Sequence, residues 1–349
     1  MFEARAPALR EAKPAWSSVP AEAIAALETW LRVTVMRGEI AWGGYGPGAT
    51  FILDLADGSR RFVKARHPEQ TPEGNAMLAE EIAARQRYPF ISKVAPAFLG
   101  EVTGGPWQWL IFEYVGDAVT ALPWTEAKLR AVFDALGMIY ADSRNLQPLE
   151  SDGDPFAKTL PVLSGNWHAL ADEGEDRSEF LVAFVDPDAA DRWLEQCLPC
   201  LRALQTARPE MGGPTGLAHF DLRSDNLLFR RDGSALLLDW SEACIGALAV
   251  ELCGFAPSCI GEGGASGDQL RSLYESSLGV SIPDADVEIA LANVAGFFAA
   301  RVGKPWRPNM PRLRWVVRQQ LWGAMQWAET LLDLPALPRL RTDNLTSTA

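Results

Sequence analysis

The stretch His219-Phe-Asp221-Leu-Arg223-Ser-Asp-Asn226, followed by Leu238-Asp239-Trp240, constrains this chain more than any other part of it. An acid stands five positions before an amide, and a second carboxylate follows 18 positions after the first. Between them lie two short apolar runs, 227–229 and 235–239, separated by Asp232-Gly233, which is a strong hairpin turn signal. The spacing predicts a hairpin entered from a polar loop and left through a carboxylate. Upstream, the same alternation of short apolar runs and Gly turns continues, while downstream the pattern becomes helical. The chain therefore divides into a strand-rich part and a helix-rich part.

A set of this kind suits phosphoryl transfer. One carboxylate accepts a hydroxyl proton and positions the nucleophile, while an amide oxygen and a second carboxylate hold the magnesium that neutralises phosphate charge. Asp221 is the candidate base. Asn226 and Asp239 are the candidate magnesium ligands, because Mg2+ prefers hard oxygens and keeps several waters. Taken singly, each is also an ordinary turn residue beside a hairpin. Their combination carries the chemistry. Arg223, two positions after Asp221, is placed to stabilise a transferring phosphoryl group by bidentate hydrogen bonds, with a solvated surface Arg as the alternative.

The upstream part reads as follows. Residues 1–20 form a loose lead-in, and 20–32 have helical spacing with Ile24, Leu27 and Leu31 on one face. A short apolar strand at 40–42, a glycine cluster at 43–48, strands at 51–55 and 61–64 around the Asp57-Gly58 turn, a helix at 71–87, and strands at 97–102 and 107–115 follow. Lys64 ends the third strand, where it can reach α- and β-phosphates if an acid holds it. Glu80 and Glu81 on the next helix are the candidate holders. Glu81 is preferred because it falls one turn after Met77 on a face expected to pack inward. Gly44 and Gly46 in the loop let backbone amides approach phosphates. The loop does not match GxxxxGK[ST], which disfavours a P-loop ATPase. Backbone groups of Glu113 and Val115, where the fifth strand runs out, would face an adenine ring.

Residues 116–123 read as a hinge. Beyond it, Thr125 is an N-cap for a helix to 140, Asp186-Pro187 opens a helix to about 206, and 145–185 is a long connection. Helices resume near Leu248, at 284–301 and at 311–332, and an irregular tail follows Pro335. Glu251, 12 residues after Asp239, is placed to brace the polar loop, or else is a solvated helix residue. Cys197 and Cys200 have CxxC spacing, but they read as half-buried helix cysteines because the further ligands a zinc site needs are scarce. Most of the 13 Trp residues, including Trp306, Trp315, Trp322 and Trp327, read as core.

A net charge of −13 argues against nucleic acid as the partner, since phosphate backbones demand basic patches. No run of about 18 apolar residues is present to span a membrane, and residues 1–16 do not resemble a signal peptide, so a cytoplasmic protein is expected. Residues 117–220 hold 17 acidic against 8 basic side chains, a local excess that suits a cationic substrate, with Asp172-Glu-Gly-Glu-Asp176 as its densest run. Oligomeric state is not legible.

On the glycine loop, Lys64, Glu81, the HxDxxxxN stretch and Asp239, the chain resembles the aminoglycoside phosphotransferase and choline kinase family over roughly residues 35–330. The resemblance implies an α+β, bilobal protein-kinase-like fold. A five-stranded antiparallel sheet with a helix would form the nucleotide-binding lobe (35–116), and a mostly helical lobe (117–335) would carry catalysis and substrate. Residues 1–34 would lead in, and 336–349 would form an irregular tail. It implies an ATP- and Mg2+-dependent phosphotransferase acting on the hydroxyl of a small molecule, an aminoglycoside-like or other cationic antibiotic. Asp221 would be catalytic, Asn226 and Asp239 would be metal ligands, and Lys64 and Glu81 would position the nucleotide. Alternatives are a kinase of a choline-, homoserine- or sugar-type metabolite, or a silent kinase-like binding protein. The stretch 246–252 departs from the family's Gly-x-Pro-x-x-Asp-Leu, with Ala247 for Pro and Glu251 for Asp. Asp-Trp-Ser replaces Asp-Phe-Gly and no Ala-Pro-Glu follows, so a protein kinase fits poorly.

Overall fold

The computed structural model describes residues 6–66, 72–146, 163 and 165–342. Expectations for 67–71, 147–162 and the final residues lie outside the described part. Strands β1 (Val35–Ile40), β2 (Ala49–Leu55), β3 (Arg60–Arg66), β4 (Phe98–Gly104) and β5 (Trp107–Glu113) form one sheet in the order β1-β2-β3-β5-β4, every neighbour antiparallel. β1 begins earlier than its apolar run suggests, because pairing with β2 extends from Ile40↔Phe51 back to Val35↔Leu55.

The pleat decides which side chains face which way. In β2, Ala49, Phe51, Leu53 and Leu55 are buried while Thr50, Ile52 and Asp54 between them are only half-buried. The buried set packs with Val63, Ala65, Trp109 and Ile111 beneath helix α1 (Ala21–Leu31), which contributes Ala23 and Leu27. Complete burial of Leu27 stabilises by about 2 kcal/mol. Lys64 stands between Val63 and Ala65 in β3, so the same pleat turns it to the opposite face, level with Thr50, its register partner.

Two expectations about the chain's beginning need correction. Helix α1 shares the sheet's core and so belongs to the first lobe, not to a separate lead-in. The segment before it is docked, not loose. Trp16 sets its ring edge-on to Phe51 at 5.2 Å and covers Gly38, where an added Cβ would lie 2.2 Å from the indole. Glu11 is buried.

Helix α2 (Pro72–Arg87) lies on the Lys64 side of the sheet. The second lobe is built from α3 (Glu126–Ser143), α4 (Asn166–Ala169), α5 (Glu175–Val182), α6 (Pro187–Thr206), α7 (Leu248–Gly261), α8 (Gly267–Leu278), α9 (Asp284–Ala299) and α10 (Leu313–Leu331). Thr125 caps α3 by accepting the Lys128 N–H, and Asp186 caps α6 by accepting the Ala189 N–H at 3.0 Å. Helix α8 was not expected, although Ser266 and Gln269 form a capping box and Gly279 closes it at φ +66°. Helix α7 packs against α9 and α10. At Gly323 of α10 an added Cβ would sit 2.2 Å from the Pro257 carbonyl, so the α7–α10 crossing depends on that glycine.

Two small sheets carry the polar loop. β6 (Val119–Thr120), β8 (Leu227–Phe229) and β9 (Ala235–Leu237) form one, and β7 (Thr215–Ala218) pairs with β10 (Cys244–Ala247) in the other. Cys197 packs in the core of α6, where burial pushes its thiol up to about 12. Trp327 is also core, its indole N–H donating to Asp268 at 3.0 Å. The chain after Pro335 is not wholly irregular, because Leu340 is buried and bridges Phe184. No helix among the described residues is long and apolar enough to cross a membrane.

Candidate active site

The loop after β7 and the hairpin β8–β9 are bound to each other by their own backbone. The Leu238 N–H donates to the Asn226 carbonyl at 2.9 Å. His219, with no exposed surface, donates from Nε2 to the Leu238 carbonyl at 2.7 Å and accepts the Asp221 N–H on Nδ1 at 3.3 Å. A carbonyl only accepts, which fixes the tautomer. Burial lowers the ring to about 4, so His219 is neutral and structural. Phe220 and Asp239 both adopt left-handed backbone, φ +59° and +63°, a cost that local contacts must outweigh. At Phe220 the contact is Glu251 of α7, whose Oε2 accepts the Phe220 N–H at 2.9 Å. Glu251 is therefore a buried brace and not a solvated helix residue.

Asn226 donates its Nδ2 to the Asp221 carbonyl at 2.8 Å and to Asp221 Oδ2 at 3.0 Å. Neither bond uses its Oδ1, which is the atom a hard cation takes. Asp239, past the end of β9, has about a third of its side chain exposed and uses Oδ1 on Lys64 at 3.1 Å. An amide oxygen and a partly exposed carboxylate form a donor set that fits magnesium with waters completing the shell.

Lys64 meets Glu81 Oε2 at 2.6 Å, and Glu81 also takes Arg85 at 3.3 Å. Of the two candidate acids, Glu81 is the partner. The reason given by the sequence does not hold, since Met77, one turn earlier, is an exposed side chain while Glu81 is 1% exposed. Its partners, not an apolar face, draw Glu81 inward. Burial alone would lower the Lys64 ammonium, but the Asp239 and Glu81 carboxylates outweigh it and raise it. The same pairing pulls Asp239 below the usual carboxylate range against its own burial.

Asp221 behaves differently. Burial pushes it up to about 7, with Arg223 opposing and Asp239, Asp225 and Glu242 adding to the rise. Arg223 is committed to carboxylates. Its guanidinium holds Asp221 through Nη1 and Asp225 through Nε at 3.0 Å and Nη2 at 3.1 Å. The glycine loop closes over this group. Gly44 is left-handed at φ +68°, and the Tyr45 ring lies 5.8 Å from the Arg223 guanidinium and 5.2 Å from that of Arg312. Around Gly46 a Cβ would meet nothing within 4 Å, so that glycine is open to an approaching group. Glu113 donates its N–H to the Ala97 carbonyl at 2.9 Å and pairs its carboxylate with Arg230 at 2.5 Å, leaving Val115 two residues beyond the strand end.

The sequence missed three neighbours of the site. Arg312, at the start of α10, donates to the Gly44 carbonyl at 3.3 Å and grips Glu11 in two places, one of them Nε to Oε1 at 2.8 Å. Lys13 donates to the Ala41 and Gly43 carbonyls at 3.2 and 3.1 Å and to Thr50 Oγ1 at 2.7 Å. No motif marks these residues, and only the folded chain brings them together. The run 172–176 is not drawn to this site by any contact found: Asp176 pairs with Lys304 at 3.1 Å, and other acids of 117–220 are spent on local cations, Asp142 on Lys93 and Asp191 on Arg177.

The model of the phosphotransferase enzyme family matches residues 42–280. Among solved structures, a spectinomycin phosphotransferase crystallised with ADP and spectinomycin superposes with TM-score 0.56 at 13% identity, over 90% of this chain and 100% of that one. A hygromycin B complex of an aminoglycoside phosphotransferase gives TM-score 0.53 at 13% identity, over 90% and 98%. A choline kinase from Streptococcus pneumoniae gives 0.52 at 15% identity, over 84% and 95%. Identities this low show a shared fold. A comparison with curated proteins finds no match.

Proposed function

We propose that this chain, which belongs to the phosphotransferase enzyme family, is a kinase that moves the γ-phosphate of ATP to a hydroxyl group of a small molecule. The observation that carries the reading is the convergence of two pairs, Lys64 with Asp239 across the lobes and Asn226 with Asp221, tied together by the Leu238 N–H on the Asn226 carbonyl. Lys64, held by Glu81, would meet the α- and β-phosphates, under a glycine loop that includes Gly44 and Gly46. The adenine would lie against the backbone of Glu113 to Val115. Asn226 and Asp239 would hold magnesium, which when bound neutralises charge on the phosphates.

In the transfer itself, Asp221 would take the proton of the acceptor hydroxyl. The freed oxygen forms a bond to the γ-phosphorus, the bond from that phosphorus to the bridging oxygen of ADP breaks, and ADP leaves with that oxygen. Arg223 keeps the Asp221 carboxylate oriented and favours its charged form, a positioning role in place of the direct phosphate contact expected from sequence. A cytoplasmic location would suit an ATP-dependent reaction, and the five free cysteines would stay reduced there.

For the acceptor we propose a cationic hydroxyl compound, aminoglycoside-like in charge. The support is the carboxylate surround of Asp221, made by Asp225, Glu242 and Asp239, with Glu262 beside it on Ser224 at 2.5 Å. The test is a panel of polyamine, amino-alcohol and neutral sugar acceptors with ATP and magnesium, read by mass. One added phosphate on a member of the panel with release of ADP is expected. Nucleotide binding without turnover on any member would select a binding protein, and no nucleotide binding at all would overturn the kinase reading.

A further inference from the structure

Lys13 lies outside the family match, on a segment the sequence reads as a loose lead-in, yet it reaches the underside of the glycine loop. Its ammonium bonds Thr50 Oγ1, and Thr50 is the register partner of Lys64 on the sheet face turned away from α1. It is close enough to Lys64 and Asp239 for both to act on its titration. Its three hydrogen-bond partners are all neutral oxygens: two carbonyls and a hydroxyl. Among the described residues no carboxylate lies within ion-pair distance of it. The nearest acid in sequence, Glu11, is taken by Arg312. A half-buried cation without an anionic partner costs stability unless something compensates it. Here burial lowers Lys13 to about 8; the Glu11 carboxylate, shared with Arg312, and more weakly Asp239 oppose the fall, and Lys64 and Arg312 add to it.

The seat of this lysine is built with care. Glu11 is 2% exposed and held in a fork by Arg312, and Arg312 also bonds the Gly44 carbonyl. The Ala12 N–H donates to the Asn309 carbonyl at 3.0 Å. Residues 11–13 are thus fixed to the second lobe on one side and to the glycine loop on the other. A solvent-facing lysine needs no such support.

We propose that Lys13 is a nucleotide-binding residue, a second ammonium that meets the ATP polyphosphate from the glycine-loop side while Lys64 meets it from the sheet. This rests on the kinase reading. The polyphosphate would supply the counter-charge that the three neutral oxygens do not. The rival account is a staple, in which Lys13 only fastens the loop.

The experiment is equilibrium titration of the full chain with MgATP, MgADP, AMP and adenosine, for wild type, Lys13→Met and Lys13→Arg. Loss of one charge-assisted contact predicts MgATP binding weakened about 10- to 100-fold in Lys13→Met, AMP and adenosine within about twofold of wild type, and most of the loss restored in Lys13→Arg. Equal MgATP affinity in Lys13→Met, or equal loss for AMP and MgATP, would overturn the proposal. Should Lys13→Met not fold, the wild-type chain still decides. Acylation of Lys13 by an amine reagent, followed by mass, should be slowed by ATP and unaffected by adenosine, and no protection by ATP would overturn the assignment. A wild-type chain that binds none of the four ligands would instead sink the kinase reading, so the two failures are distinguishable.

Discussion

Lys64 on β3 and Asp239 past β9 meet at 3.1 Å, and this ion pair joins the two lobes where the nucleotide is expected. The pair holds each group in its charged form against burial. It also means that a cation arriving at Asp239 competes with Lys64 for one carboxylate.

That competition predicts the effect of Asp239→Ala. Affinity for nucleotide with magnesium should fall, while affinity for metal-free nucleotide should hold or rise slightly, because the phosphates then lose a rival for the Lys64 ammonium. Calorimetric titration with and without magnesium measures both. An equal loss in the two conditions would show that Asp239 does not serve the metal.

Asp221→Asn keeps the shape of the side chain and removes the proposed base. Turnover should drop by about 100- to 10,000-fold, the range a positioned general base contributes. MgATP affinity should stay within a few-fold, since the proposed role of Asp221 is toward the acceptor hydroxyl and not the nucleotide. A variant that keeps near wild-type turnover would remove Asp221 from the chemistry.

Glu251 predicts a pH dependence of stability. Burial raises it to about 7 from 4.5, so the folded chain keeps a proton that the unfolded chain has lost in that window. Stability present below about 4.5 is therefore lost as pH rises through about 7, at up to about 1.4 kcal/mol per pH unit from this group. Asp221, also raised, works in the same direction. His219, lowered to about 4, works oppositely, contributing stability above its ordinary 6.5 that is lost as pH falls toward 4. Thermal melts of Glu251→Gln should show a flatter fall between about pH 4.5 and 7 than wild type. Parallel curves would refute the assignment of the slope to Glu251.

If the acceptor is cationic, its KM should rise with ionic strength while the kcat of the reaction changes little, because salt screens exposed charge with a Debye length of about 8 Å at physiological strength. Glu242→Gln should raise the same KM. Assays of the best acceptor at roughly 50 and roughly 500 mM salt, which bracket that screening range, decide it. A KM indifferent to salt would favour a neutral acceptor.

The parts of this fold that rest on local rules were legible. The Asp57-Gly58 and Asp232-Gly233 turns, the Thr125 and Asp186 caps and the alternation in β2 each follow from a few neighbouring residues. The pairing within the polar loop was legible because Asp221 and Asn226 are five positions apart, and the fold joins them by a hydrogen bond. What stayed hidden depends on which partner a side chain takes once the chain has folded, near or far in sequence. Glu81 was preferred over Glu80 for an apolar face that Met77 does not join, whereas Lys64 and Arg85 set its position. The spacing sets Arg223 where it could reach a phosphate, but does not show that Asp221 and Asp225 share its guanidinium. Lys13, Glu11 and Arg312 carry no pattern at all, since 301 positions separate the last two.

That separation bears on how the protein is made. Chains leave the ribosome from the N-terminus at roughly 5–20 residues per second, and early segments fold as they emerge. Helix α1 and the five-stranded sheet have all their residues by position 113, but Glu11 waits for Arg312. The clasp over the glycine loop therefore closes after α3 to α9 have been synthesised. A nascent chain stopped before α10 would present a finished sheet with an unlatched loop, and a charged tag fused close to residue 11 would interfere with a step that comes late in biosynthesis.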